Sequence, residues 1–220
     1  MKGSDKMKQI VVEVWGDLAL FTRPESKVER LTYPVPTPSA ARGLLAAIYS
    51  KPKEFYWQIN QIEVLNQIQY ISFRRNEVKD RVSNKPILVE DSRTQRNGTY
   101  LKNVRYRIRA TIIKQPSFQG SYEQLYEQAI RRIQNGKCFY QPYLGKRECT
   151  AYFEISDEIR KPINEDMELG IMLYDVFNLH DYTVSPKPDV SLFAAKMVGG
   201  VIQIPDYDDP KVLKGVTIDA

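Results

Sequence analysis

The stretch VRYRIRATII, residues 104–113, constrains the fold of this chain more than any other segment. Its even positions are apolar, whereas Arg105, Arg107 and Arg109 occupy the odd positions between them. Successive side chains of a strand point to opposite faces, so the alternation predicts a strand with one apolar and one cationic face. One side of the predicted sheet is therefore core, and the other is cationic.

Two segments have the periodicity and the boundary signals of amphipathic helices. In TPSAARGLLAAIYSKP, Thr37 is a candidate N-cap, Pro38 suits the first helical position and Pro52 is a stop signal. In SYEQLYEQAIRRIQNG, Ser121 begins a capping box and Gly136 is expected to end the helix. The sequence therefore predicts two helices with defined ends.

The remaining elements complete an α+β fold. Further strands are expected in QIVVEVWGDLALF, WQINQIEVLN, IQYISFRR and FYQPYLGKRECTAYFEI. The polar residues 76–99 are interpreted as an insertion or a long loop. The resulting order matches a ferredoxin-like (RRM-like) βαββαβ domain with an insertion. We place this domain at residues 7–155, followed by a small antiparallel β-rich domain at residues 156–220.

The opening residues 1–6, MKGSDK, are polar and unpatterned, which indicates a disordered start or a remnant of cloning, with Met7 as the natural start. The two cysteines, Cys138 and Cys149, have no disulfide or zinc spacing. No apolar run is long enough to span a membrane. These features predict a cytoplasmic protein without a metal site or small-molecule cofactor.

Charge is distributed unevenly along the chain. Residues 1–154 carry a net charge of +11 and residues 155–220 a net charge of −6. The basic part favours a polyanionic partner, and the acidic part suits contact with other proteins. A solvated charged surface is the simplest alternative. Arginines in a row can pair with successive phosphates, however, and neighbouring aromatic rings can stack on unpaired bases. The candidate RNA-binding residues are Arg105, Arg107, Arg109, Arg131, Arg132, Lys137, Tyr140, Tyr143, Lys146 and Arg147.

Catalytic motifs are few. The single histidine, His180, excludes a site with two imidazoles and is interpreted as a loop or surface residue. The acidic residues lack the spacing of a two-metal nuclease site. The catalytic chemistry still open to the chain is metal-free acid–base chemistry by tyrosine, lysine or arginine.

The block RRIQNGKCFYQPYLGKRE, residues 131–148, resembles R-R-x-x-x-G-x-C-F-x-x-P-Y-L-G-x-R-E of the subtype I-C CRISPR-associated RAMP proteins, the Cas-five endoribonuclease family. The segments GDLALFTRPE, PSAARGLLAAIY and FAAKMVGGVIQIP also resemble that family, in the same order. The resemblance implies metal-independent cleavage of CRISPR repeat RNA. It also implies that the protein holds the 5′ handle and assembles with other Cascade subunits.

The same resemblance implies a catalytic set of one tyrosine at the end of the first helix and a Lys-His pair in the second. Tyr49 matches the tyrosine, but Gln124 and Leu125 occupy the Lys-His positions and cannot transfer a proton. The chain is then either an enzyme that uses Tyr49 with a cation such as Lys51, Lys114 or Lys137, or a non-catalytic RNA-binding subunit. A ferredoxin-like interaction module without an RNA role is the third hypothesis.

Overall fold

A computed structural model describes residues 8–26, 29–80, 84, 86–181, 183 and 187–216 of the chain. Within these residues, ten strands form one sheet, and two helices pack on it. The strands are β1 (Gln9–Ala19), β2 (Arg30–Leu31), β3 (Phe55–Val64), β4 (Tyr70–Val78), β5 (Arg93–Lys114), β6 (Tyr152–Ile155), β7 (Met167–Asp175), β8 (Val190–Val198), β9 (Val201–Gln203) and β10 (Leu213–Val216). The helices are α1 (Pro38–Ile48) and α2 (Tyr122–Gln134).

The centre of the sheet has the order β6-β1-β5-β3, and every pair in it is antiparallel. The first helix lies between β1 and β3 along the chain, and the second lies between β5 and β6. Beyond β3 the sheet continues through β9 to β8, which also pairs with β7 and β10. The mixed class with a large antiparallel sheet is confirmed.

The even positions of residues 104–112 are buried, as the alternation predicts, and they share one core with both helices. In α1 the buried side chains include Leu44, Leu45 and Ile48, and in α2 they are Leu125, Ala129 and Ile133. Thr37 and Ser121 accept hydrogen bonds from backbone N–H groups at the two helix starts. The predicted helices and their N-cap residues are confirmed, although Ser121 accepts from the Glu123 N–H and not from the Gln124 N–H of a capping box.

Two segments differ from their predicted structure. Much of the predicted polar insertion is a two-stranded arm, in which β4 pairs with the first half of β5 from Val78↔Arg93 to Tyr70↔Leu101. No residue of β4 and none of residues 93–97 is fully buried. The arm therefore needs no regular alternation of apolar residues, which is why its outer part resembles a loop in sequence. Residues 81–83 and 85 of that insertion lie outside the described residues, as do residues 1–6.

The segment expected as one strand over residues 139–155 is mostly a loop, and β6 begins only at Tyr152. Proline at position 142 has no N–H for a strand ladder. Gly145 has φ +83°, which a regular strand does not adopt. These two residues explain why the aromatic content did not produce a strand.

Candidate nucleic-acid interface

Tyr49 lies at the carboxyl end of α1, where the chain leaves the helix. Its backbone is extended, with φ −148° and ψ 119°, while its N–H still donates to the Leu45 carbonyl at 2.8 Å. Trp57 Nε1 donates to the Tyr49 carbonyl at 2.8 Å, and the ring centroids of Tyr49 and Phe55 are 5.1 Å apart. Because Tyr49 is only 3% exposed, these contacts hold its phenol ring in place.

The Tyr49 hydroxyl is neutral at physiological pH. Burial raises the pKa of Tyr49, although the positive charges of Lys51 and Arg132 act in the opposite direction. No hydrogen bond joins the Tyr49 hydroxyl to another described residue. A neutral phenol without a protein partner can donate a hydrogen bond to a phosphate oxygen or a proton to a leaving oxygen.

Arg132 brings a cation and an exposed ring to the same place. Its Nε donates to the Ile48 carbonyl at 2.7 Å, which ties the end of α2 to the end of α1. Its guanidinium lies 4.2 Å from the centroid of the Phe139 ring, and the Phe139 N–H donates to the Ala47 carbonyl at 2.7 Å. Phe139 is 57% exposed. A guanidinium and an open ring suit a phosphate and an unpaired base.

The three lysines proposed as alternative cations differ in what holds them. Lys51 Nζ lies 2.9 Å from Glu54 Oε1, and the Lys51 charge acts on Tyr49. Lys137 is exposed, and its backbone N–H donates to the Arg132 carbonyl at 2.9 Å. Lys114 Nζ donates to a backbone carbonyl, that of Gly120, at 2.6 Å. We use the name Tyr49 corner for the group Tyr49, Lys51, Arg132, Lys137 and Phe139.

The positions that match the family Lys-His pair add no ionisable group to the Tyr49 corner. Leu125 is 3% exposed and belongs to the core, whereas Gln124 is exposed. Gln124 precedes Arg132 by just over two helical turns, about 12 Å along the axis. The sequence comparison had identified both substitutions, and the structure adds that position 125 faces the apolar core.

The block that resembles the family motif begins in the last turn of α2 and continues as a loop that contacts the end of β1. Leu144 is buried, its N–H donates to the Cys149 carbonyl at 2.7 Å and its carbonyl accepts from the Leu20 N–H at 3.0 Å. At Gly145, with φ +83°, a Cβ would lie 2.1 Å from the Leu20 carbonyl oxygen, so glycine is required. Leu144 and Gly145 therefore hold the loop against the end of β1.

The same region exposes several of the predicted RNA-binding side chains. Tyr140 is 53% exposed, and Arg131 and Arg147 are also exposed. Tyr143 and Lys146 are half-buried, and burial lowers the pKa of Lys146. Their contact with RNA stays a prediction.

The prediction that the β5 arginines bind phosphates has to be corrected for the central one, Arg107. Arg107 is 2% exposed, with Nη1 2.6 Å from Glu63 Oε2 and Nη2 3.1 Å from Glu13 Oε1. Its Nε donates to Ser156 Oγ at 2.8 Å, and its Nη2 also donates to the Arg160 carbonyl at 2.7 Å. The guanidinium of Arg107 is thus occupied inside the protein and is not presented to a phosphate.

The two flanking arginines are also paired, although they are less buried. Arg105 lies 2.7 Å from both Glu13 and Glu154, and its guanidinium is 4.4 Å from the centroid of the Trp15 ring. Arg109 pairs with Glu63 at 2.8 Å and with a second carboxylate, that of Glu158. This face of the sheet therefore carries a network of arginine and glutamate side chains that pair with one another. A role for Arg105 and Arg109 in RNA binding stays a prediction.

A signal for this network was present in the sequence. Glu13 interrupts the apolar run of β1, and in the sheet Glu13 and Glu63 both stand opposite Arg107, one on each neighbouring strand. Burial raises the pKa of Glu13, but hydrogen bonds from Arg105, Arg107 and Ser156 outweigh burial and leave that pKa lowered. Strand pairing, which the sequence does not show, decides that these charges neutralise one another.

His180 is paired with Asp208, since its Nε2 lies 2.8 Å from Asp208 Oδ1. Both cysteines are free thiols, and burial raises the pKa of Cys149 to about 11. In the described ranges, no cluster of three or more His, Cys, Asp or Glu side chains is arranged to hold a metal ion. No helix in those ranges is long and apolar enough to cross a membrane.

Comparison with known proteins identifies the family of the chain. A family model described as CRISPR-associated protein (Cas_Cas5) matches residues 9–205. The chain belongs to the Cas5 family. This confirms the resemblance carried by residues 131–148.

Two curated Cas5 relatives are each described as CRISPR pre-crRNA endoribonuclease Cas5d. The protein from Thermus thermophilus is 43% identical over 175 residues, which cover 80% of this chain and 76% of the relative. The protein from Mannheimia succiniciproducens is 36% identical over 221 residues, which cover 90% of this chain and 96% of the relative. A crystal structure described as that of a CRISPR-associated protein has a TM-score of 0.69 at 24% identity, covers 94% of this chain and 97% of its own, and shows a shared fold.

Proposed function

We propose that this Cas5-family chain is a metal-independent endoribonuclease that cleaves CRISPR repeat RNA and then holds the 5′ handle of the product in a Cascade complex. Both curated relatives are described as pre-crRNA endoribonucleases, and they match most of the chain. The observation that carries the proposal is the Tyr49 corner. It combines a neutral hydroxyl that has no hydrogen-bond partner among the described residues with the cations Lys51 and Arg132.

In the proposed reaction, the ribose 2′-hydroxyl attacks the adjacent phosphorus, the bond to the 5′-oxygen breaks, and a 2′,3′-cyclic phosphate forms. Tyr49 supplies the proton to the leaving 5′-oxygen, and Arg132 stabilises the negative charge of the phosphorane. The 2′-hydroxyl proton passes to solvent, because Leu125 cannot accept it. A positioned base contributes about 10² to 10⁴ in rate, so cleavage is expected to be slow by that factor.

A second function is favoured by a specific observation. Leu125 is packed into the core at the position where the family pattern has histidine. A chain that had lost proton transfer but retained the basic and aromatic surface would serve as a non-catalytic RNA-binding subunit. In that case Tyr49 is a packing residue at the end of α1.

Cleavage of labelled repeat RNA from the protein's own locus, with EDTA present, distinguishes these functions. For an enzyme, we expect site-specific cutting that falls by about 10² to 10⁴ in Tyr49→Phe, with RNA affinity retained. Tyr106→Phe is the matched control, because it removes a hydroxyl from another buried tyrosine, on β5. Tight binding without cutting by the unmodified chain would refute the enzyme and support the scaffold.

Three further assignments belong to the same proposal. The order β6-β1-β5-β3 with two intervening helices supports a ferredoxin-like domain at residues 7–155, with the arm near 76–99 as its insertion. Residues 156–220 are then the small C-terminal domain, joined to the first through the sheet. A protein that processes transcripts acts in the cytoplasm. The side chains proposed to bind RNA outside the corner are the exposed Arg131, Tyr140 and Arg147, the half-buried Tyr143 and Lys146, and Arg105 and Arg109 on the charged face of β5.

A further inference from the structure

A pocket of about 210 Å³ opens next to the Tyr49 corner and has no part in the chemistry described above. Phe55 links the two sites, because its ring contacts Tyr49 and also lines the pocket. Ser50, which directly follows Tyr49, is another lining residue. We call this cavity the aromatic pocket. Its main walls are Phe55, Tyr56, Trp57, Gln115, Phe177 and Ala46.

Phe177 forms an uncovered wall of the aromatic pocket. It is 49% exposed, and the Arg42 guanidinium lies 5.5 Å from its ring centroid. Arg42 is fixed by two contacts with the Asp175 carboxylate, at 2.5 and 2.9 Å. The same carboxylate accepts a hydrogen bond from the Phe177 N–H at 3.0 Å. The ring is therefore held in position without being packed away, as a stacking platform requires.

Two carboxamides supply hydrogen-bonding groups to the aromatic pocket. Gln115 is 4% exposed and its Nε2 donates to the Leu179 carbonyl at 3.2 Å. Gln115 lines the pocket, and its Oε1 forms no hydrogen bond with a described residue. Asn178 also lines the pocket and uses its Oδ1 to accept from the His180 N–H at 3.0 Å. The Asn178 Oδ1 also accepts from the Tyr207 hydroxyl at 3.4 Å, and no described residue accepts a hydrogen bond from the Asn178 Nδ2.

We propose that the aromatic pocket binds one unstacked base of the repeat RNA, from a nucleotide beside the scissile phosphate. This inference rests on the proposed function. A cavity of about 150 Å³ holds a benzene molecule, so about 210 Å³ suits a nucleobase. Ligand pockets for larger molecules usually begin at about 300 Å³. The carboxamides of Gln115 and Asn178, which both line the pocket, carry the donor and acceptor groups that a base edge with both kinds of group requires.

The chemistry gives a reason for such a pocket. Attack by the 2′-oxygen requires the 2′-oxygen, phosphorus and leaving 5′-oxygen to be in line, and a regularly stacked strand does not hold them so. Extracting one base from the stack lets the backbone rotate toward that arrangement, and enzymes that act on nucleic acids often bind an extruded base between aromatic side chains. The aromatic pocket would hold the base while the phosphate lies at the Tyr49 corner.

The proposal is tested with a set of repeat RNAs, each of which lacks the base of one nucleotide. The affinity of the full-length chain is measured for each RNA and compared with that for the intact repeat. We expect one abasic position, next to the cleavage site, to weaken binding about 5- to 150-fold, the effect of one lost stacking contact. Ala46→Leu fills the pocket from α1 with a good helix former and should weaken binding similarly. The abasic substitution should then cause no further loss in that variant.

Gly43→Leu is the matched control, since it adds the same side chain one turn earlier on α1, where a Cβ meets nothing within 4 Å. It should leave the abasic profile unchanged. Phe177→Ala, at a half-exposed position, provides the same test should Ala46→Leu fail to fold. A flat abasic profile with tight binding would overturn the pocket proposal and leave the proposed function standing. Absence of any RNA binding would overturn both.

Discussion

Replacing Arg107 by alanine separates a structural role for the β5 arginines from direct contact with RNA. Removing one partner of a buried ion pair costs about 3–5 kcal/mol, because the remaining charge stays buried. Glu13 would keep Arg105 and Ser156, and Glu63 would keep Arg109, so we expect the lower end, about 3 kcal/mol. For a chain of this length, that loss corresponds to a fall in Tm of about 6–12 °C.

The assay pairs urea unfolding with RNA affinity measured over a range of salt concentrations. Arg107→Ala should lower the free energy of unfolding and leave the slope of log affinity against log salt unchanged, because its guanidinium is buried. Arg147→Ala is the comparison, since Arg147 is exposed. Arg147→Ala should change the free energy of unfolding by less than about 0.5 kcal/mol. It should reduce the slope of log affinity against log salt by about 1, the effect of one lost phosphate contact. An Arg107→Ala chain with unchanged stability and a smaller slope would refute this reasoning.

Three further outcomes follow from the same contacts. The pKa of Glu13 in the folded chain is lowered from its ordinary value of 4.5. The stability that this contributes is present above pH 4.5 and is lost as the pH falls through the folded pKa. The free energy of unfolding should therefore fall less steeply with decreasing pH in Glu13→Gln than in the parent chain. Equal steepness would exclude Glu13 as a contributor. Gly145→Ala should destabilise more than Gly136→Ala in urea, because both have positive φ but only the first meets a backbone atom, at 2.1 Å. Because the pKa of Tyr49 is raised above 10.0, its loss of a proton should not reduce the cleavage rate below pH 10. A decline below that pH which disappears in Tyr49→Phe would contradict the raised pKa of Tyr49.

Local features of the chain were predictable from its sequence because they depend on neighbouring residues. Thr37 and Ser121 cap helices through bonds to N–H groups two or three residues away, and the period of apolar residues sets which face of each helix is buried. The alternation in residues 104–112 likewise determines which side chains of β5 face the core. The family block also led to Tyr49 and to the substitutions at positions 124 and 125.

Tertiary structure decided what the charges and rings do. Arg107 has the sequence context of a surface arginine, but its partners Glu13 and Glu63 come from two other strands, and only the register of the sheet brings them together. The aromatic pocket likewise combines α1, β3 and the segments after β5 and β7, none of which has a recognisable binding motif. Local sequence determines which face a side chain occupies, whereas long-range pairing determines which atoms it meets, and those atoms decide between an ion pair in the core and a site for RNA.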